Sequence, residues 1–181
     1  MKTIAHGETL LLEAWDRGDE LALKSLVQRY QRLVFCLMLY LAGGGRNAAF
    51  NMSVSCFSEA LNSAQEARED GVFFKKLIRD AIARCQTAPV TPAFDLSSVM
   101  TLAPERREPL RIIKEALFAL SFENKTFLLL RDQFNLCFED IAGILQISSK
   151  DVRGAVLAAR VQLRDKVQEI LESERGRYGL R

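Results

Sequence analysis

Few residues in this chain have the types and spacing that covalent chemistry needs. The only histidine is His6, so a nucleophile and base pair would have to be built on a residue close to the N-terminus. The four cysteines, Cys36, Cys56, Cys85 and Cys137, stand far apart without a Cys-x-x-Cys pair, which leaves no clustered ligand set for a metal. Cys36 and Cys56 sit among apolar neighbours and read as small core residues. Gly43-Gly44-Gly45 runs into Arg46-Asn47 and lacks the Lys-Ser/Thr ending of a phosphate loop. An enzyme, a metal centre and a bound cofactor are therefore not expected. What remains is recognition chemistry. Ser148, Ser149, Lys150 and Arg153 crowd the start of an expected helix, where free amides, the helix dipole and cations all favour phosphate. Gly154, Leu157 and Arg160 follow on the same helix, and Gly154 costs about 1 kcal/mol relative to alanine unless a close backbone approach to a ligand compensates it. Lys75, Lys76 and Arg79 form a second group, with two readings: a face that touches phosphate, or an ordinary solvated helix face.

The elements that must position the first group are two helices joined by a tight corner. Ile141, Ala142, Ile144 and Leu145 make one face of a short helix that ends at Ile147. Ser148 is the expected N-cap of the next helix, with Asp151 three residues on as the acidic half of a capping box. Val152, Val156, Ala159, Leu163 and Val167 then recur at spacings of four, three, four and four, a core-facing stripe. The arrangement is a helix-turn-helix.

This segment resembles the promoter-recognition domain, region four, of bacterial sigma factors, in particular the extracytoplasmic-function (ECF) group. The matching positions are Leu120-Ser121, Lys125, Leu129-Leu130-Arg131, Asp140-Ile141-Ala142, Leu145-Gln146-Ile147-Ser148, Asp151-Val152, and Ala158-Ala159-Arg160 with Leu163, in order and without a gap. The family places several cations on this second helix for phosphate and guanine edges in the major groove. Here Arg153 is retained, Ala155 and Ala158 are bare, and Asp151 is expected to be consumed as a cap.

Four helices are expected before it: Glu8 to Trp15, Leu21 to Ala42, Asn47 to Gln65 and Val72 to Cys85, with Gly18-Asp19 marking a stop and a new N-cap. Trp15, Tyr30 and Phe35 are expected to pack in the core. Leu11-Leu12, Ala14, Gly18-Asp19, Ala22-Leu23, Leu26 and Tyr30 resemble the polymerase-binding region two of the same family at the same intervals. The family's acidic helix aligns with Ala49 to Phe57. Its apolar side survives in Ala49, Met52, Cys56, Phe57 and Ala60. The resemblance implies that Asn51, Val54, Ser55 and Ser58 face the polymerase β′ clamp helices, although none of them is an acid. A carboxylate lost opposite a basic partner removes charge-assisted bonds and steering. The family's next helix maps onto Phe73 to Asp80, where the resemblance implies that Lys75, Lys76 and Arg79 lie towards the minus-ten element.

The stretch from Thr87 to about Arg107 carries Pro89, Pro92 and Pro104 without a helical period, and a helix around Pro109 to Leu120 leads on. The expected organisation is all-α: a region-two-like bundle over residues 1–86, a linker over 87–107 acting as a tether between independently folded halves, and a region-four-like domain over 108–181. The 181 residues are 49% hydrophobic, with no apolar run long enough to span a bilayer and no apolar leader segment, so a cytoplasmic protein without membrane insertion is expected. Met1 to Cys85 and Lys114 to Arg181 each carry 11 basic and 10 acidic residues, which is not the charge of a tight autonomous DNA binder. Two functions stand side by side. One is an ECF-type sigma factor that directs promoter-specific transcription initiation, with core RNA polymerase, promoter DNA and, in regulated members, an anti-sigma factor as partners. The other is a sigma-like mimic that binds an anti-sigma factor or a polymerase surface without initiating transcription.

Overall fold

A computed structural model describes residues 7–43, 45–62, 69–88 and 103–178. Among the described residues there is no strand; the helices are α1 (Glu8–Asp16), α2 (Glu20–Leu41), α3 (Arg46–Asn62), α4 (Val72–Thr87), α5 (Pro104–Ala119), α6 (Phe122–Leu128), α7 (Phe138–Leu145) and α8 (Ser149–Tyr178). A π-helical turn, Leu129–Gln133, extends α6. His6, Gly44, the expected end of the third helix at Gln65, and Pro89 and Pro92 lie outside the described residues.

Local chemistry explains most helix starts. Leu21 and Ala22 donate their amides to Asp19 Oδ1 at 2.9 and 3.3 Å, as the Gly18-Asp19 signal implies. Leu26, Tyr30, Val34, Leu37 and Met38 are fully buried on α2, which makes this long helix the centre of the N-terminal bundle, with α1, α3 and α4 against it. Tyr30 is a core residue, whereas Trp15 and Phe35 are half-buried and pack on the core's edge. Cys56 and Cys85 are buried, and burial pushes their thiols up to about 11 and about 12, so both remain protonated at neutral pH. Cys36 is only half-buried.

One buried carboxylate was not foreseen. Glu8 is 0% exposed and accepts from the Tyr30 hydroxyl at 2.9 Å, from the Gly71 amide at 2.8 Å and from the Phe74 amide at 2.9 Å. It therefore caps the start of α4 from more than sixty residues away. In return, Asp70 accepts from the Gly7 and Thr9 amides at the start of α1, both at 2.9 Å. Burial raises the Glu8 carboxyl above its ordinary value, outweighing the three hydrogen bonds that pull it down.

Two expectations need correction. The fifth helix begins at Pro104, not around Pro109: proline is tolerated in a first helical turn, and Pro109 is accommodated inside at the loss of one backbone hydrogen bond. The halves also do not stand apart. One apolar cluster runs from Leu26, Leu37 and Ile78 to Leu128, Ile141, Ile144 and Val152, with α4 against α7 and α2 against α6. Apolar stripes assign residues to a buried face but do not say whose face covers them.

Candidate nucleic-acid interface

The helix-turn-helix consists of α7, a corner at Gln146 to Ser148, and α8. The Cys137 Sγ accepts from the Asp140 amide at 3.3 Å and starts α7. Gln146 ends it in the left-handed conformation, φ 57°, while the Ile147 amide donates back to the Ala142 carbonyl at 3.2 Å. Ser148 then caps α8: the Asp151 amide donates to Ser148 Oγ at 3.1 Å, and the Ser148 hydroxyl donates to Asp151 Oδ2 at 2.6 Å. The Asp151 carboxylate is thereby engaged by the capping hydroxyl, not by a backbone amide, and Val152, Val156 and Ala159 turn inward as expected, all buried.

Ser148, Lys150, Arg153, Gly154 and Arg160 are exposed, Ser149 is half-buried, and Leu157 is 64% exposed, so the whole set stands on the outward face of α8's first turns or beside it. Space beside Gly154 is open, with nothing within 4 Å of where a Cβ would stand. Arg153 is not loose. Its guanidinium carbon lies 5.0 Å from the centre of the Phe138 ring, and that of Arg131 lies 4.7 Å from the same ring. Arg131 is itself held by a 2.7 Å bond to the Leu136 carbonyl. A planar cation on an aromatic face gains roughly 0.5–1 kcal/mol at an exposed site and loses rotamer freedom in advance of binding. Phe138 and Arg131 were not singled out for this role. Arg153 is more than twenty residues from Arg131, so no local pattern joins them. Arg160 is paired with Asp132 at 3.0 and 2.5 Å, which neutralises part of the same face.

The second group sits differently. Lys75, Lys76 and Arg79 on α4 are half-buried, and Arg79 donates to the Gly143 and Ile144 carbonyls of α7. The bond from Arg79 to α7 is a contact that neither reading of these cations included. On α3, Asn51, Val54, Ser55 and Ser58 are all exposed on one face. Beside them lies a groove of about 470 Å³ lined by Val27, Phe35, Phe50, Val54, Phe57 and Arg32. Phe50 is 60% exposed there. Among the described residues no group of acids, cysteines or histidines is placed to hold a metal ion, and no helix is long and apolar enough to cross a membrane.

No protein-family model matches the chain. It is 25% identical over 182 aligned positions to the ECF RNA polymerase sigma-E factor of Haemophilus influenzae (strain ATCC 51907 / DSM 11121 / KW20 / Rd), across 89% of this chain and 95% of that one. The sequence is thus similar to that of an ECF sigma factor over nearly its whole length. The fold agrees: the solved structure of CnrH in complex with the cytosolic domain of CnrY matches with a TM-score of 0.65 at 15% identity, over 89% of this chain and 97% of that chain. The likeness to that structure is one of fold, and it spans both helical halves of the chain.

Proposed function

We propose that the chain is a sigma-type initiation subunit, a protein of transcription rather than an enzyme. In this reading, residues 1–86 hold core RNA polymerase through the α3 face of Asn51, Val54, Ser55 and Ser58. Residues 108–181 read promoter DNA through the start of α8, with the segment between as connection. Lys75, Lys76 and Arg79 meet the minus-ten region, and Ser148, Ser149, Lys150, Arg153, Gly154, Leu157 and Arg160 meet the minus-thirty-five region. The observation that carries the reading is Arg153, exposed on a capped helix and stacked on Phe138, where a cation can approach phosphate or a guanine edge. The polymerase-facing groove is apolar, so contact there rests on burial more than on charge-assisted bonds. A regulated relative of this kind works in the cytoplasm, and the bound CnrY domain in the CnrH structure supports a protein inhibitor as a further partner.

The test is a pull-down with purified core RNA polymerase followed by run-off transcription from the promoter of the chain's own operon. A specific transcript is expected, and Arg153→Glu should lower promoter retention by about 10-fold or more with helicity unchanged. Restored acids, Asn51→Glu with Ser55→Glu, should tighten polymerase binding if that face docks. Polymerase capture without any transcript would instead favour a mimic that occupies the surface.

A further inference from the structure

Past Lys150, the centre of α8's outward side carries no hydrogen-bonding side chain. Lys150, Gly154, Leu157 and Val161 recur at spacings of four, three and four and are all exposed, which sets them along one line of the helix opposite its buried stripe, with exposed Ala158 beside them. Leu157 is 64% and Val161 41% exposed. The polar groups bordering this ridge are engaged within the protein. On one edge Arg153 stacks on Phe138, Arg160 pairs with Asp132, and Arg164 pairs with Asp165 at 2.8 Å. On the other, the Asp151 carboxylate accepts from the Ser148 hydroxyl, and Gln162 Oε1 accepts from Asn124 Nδ2 at 2.7 Å. From Gly154 to Val161 the ridge covers about 10 Å of helix, the height of roughly three base pairs.

We infer that this ridge reads the methyl groups of thymine, so that α8 selects thymine-bearing sites in the major groove by apolar contact. The inference rests on α8 as the promoter-contacting helix and names what that helix recognises. Among the base edges in the major groove, thymine alone offers an apolar group, its C5-methyl; the other features are read by donors and acceptors that the side chains of Gly154, Leu157, Ala158 and Val161 do not have. Gly154, with nothing within 4 Å of where a Cβ would stand, lets the helix backbone lie close to the bases, and Leu157 and Val161 follow it one and two turns on. The arginine edge runs alongside, where contacts to phosphate set position rather than sequence. Ala158, bare of the cation that the family resemblance implies there, belongs to the same apolar surface.

The test uses the full chain with core RNA polymerase and a duplex pool built on the promoter of its own operon, with the minus-thirty-five half randomised. Retained sequences should carry thymine, on either strand, at two or more of about three consecutive base pairs. Replacing one such thymidine by deoxyuridine removes a single methyl group and leaves every hydrogen-bonding edge in place; it should weaken retention about 4-fold. Leu157→Ala should lose a similar factor and become indifferent to deoxyuridine at one position, so that the two losses do not add, whereas Leu157→Met keeps the sensitivity. Val161→Ala should do the same at a different position. The salt dependence of retention should be unchanged in all three variants, because no phosphate contact is removed. Circular dichroism checks that each variant folds. Retained sequences without thymine, equal retention of thymidine and deoxyuridine duplexes by the wild type, or a deoxyuridine effect that survives in the Leu157→Ala, Val161→Ala double variant overturns the methyl ridge and leaves the sigma reading standing. A dimer in sedimentation that Leu157→Ala dissolves, with no deoxyuridine effect, gives the ridge to a second copy of the chain and overturns it equally. Polymerase capture with no sequence enriched, or no capture of polymerase or DNA at all, removes promoter reading by α8 and the ridge with it.

Discussion

The two halves of the molecule start their helices by different means. In the C-terminal half each cap is local: Ser121 Oγ accepts from the Asn124 amide, Cys137 Sγ from Asp140, and Ser148 Oγ from Asp151, always three residues on. In the N-terminal half α2 is capped locally by Asp19, but α1 and α4 cap one another across more than sixty residues through Asp70 and Glu8. Local caps form as soon as a helix forms. The reciprocal pair exists only once the bundle has closed, so it couples two helix ends to the tertiary fold and should carry a larger, more cooperative share of stability.

Removing the distant cap is the sharpest test of that difference. Glu8→Ala leaves the Tyr30 hydroxyl and two α4 amides without their acceptor, and should cost about 3 kcal/mol, on the order of 10 °C in a thermal melt. The same carboxylate predicts a pH dependence. Its folded-state pKa is raised above the ordinary 4.5, so the native state binds more protons than the unfolded chain, and stability should fall as pH rises from about 4.5 through the raised value, then level off. Melts across pH 4 to 8 should show that decline in the wild type and lose it in Glu8→Ala. An equal slope in both would remove Glu8 from the account.

The local caps should yield smaller numbers. Ser148→Ala is expected to cost about 1 kcal/mol, roughly 2–4 °C, because one first-turn amide loses its acceptor while the Val152 stripe still packs. A loss as large as that of Glu8→Ala would erase the contrast between the halves. At the corner just before, Gln146 holds φ 57°, a conformation that glycine adopts without strain, so Gln146→Gly should gain up to about 1 kcal/mol in denaturant unfolding. Smallest of all is Asp132→Asn. The Arg160–Asp132 pair is exposed and should be worth less than about 0.5 kcal/mol, yet freeing Arg160 should measurably tighten retention on promoter DNA at low salt.

The same contrast explains what could be read in advance. The Ser148 cap, the Asp19 cap and the inward set Val152, Val156 and Ala159 were legible because their partners lie within one helical turn. The all-helical, two-part plan followed from periodicity together with the match to region four. The bounds of α5 were not legible, since Pro104 and Pro109 signal a break but are tolerated at a helix start and once inside it. Nor was the Phe138 stack, which joins Arg131 and Arg153 from separate helices.

By itself, then, the sequence determined where the locally capped helices α2 and α8 begin and which faces turn inward, because those depend on residues one to four apart. Tertiary structure alone decided the fate of the charged groups. Arg153 and Arg79 are both arginines on helices expected to meet DNA. One stands out on an aromatic ring, while the other is bound to the carbonyl end of α7. Glu8 looks like an ordinary first-turn acid and is a fully buried acceptor. The physical reason is common to all three. A long polar side chain takes whatever donor or acceptor the folded chain places within reach, and that partner is set by packing over tens of residues rather than by neighbours in sequence.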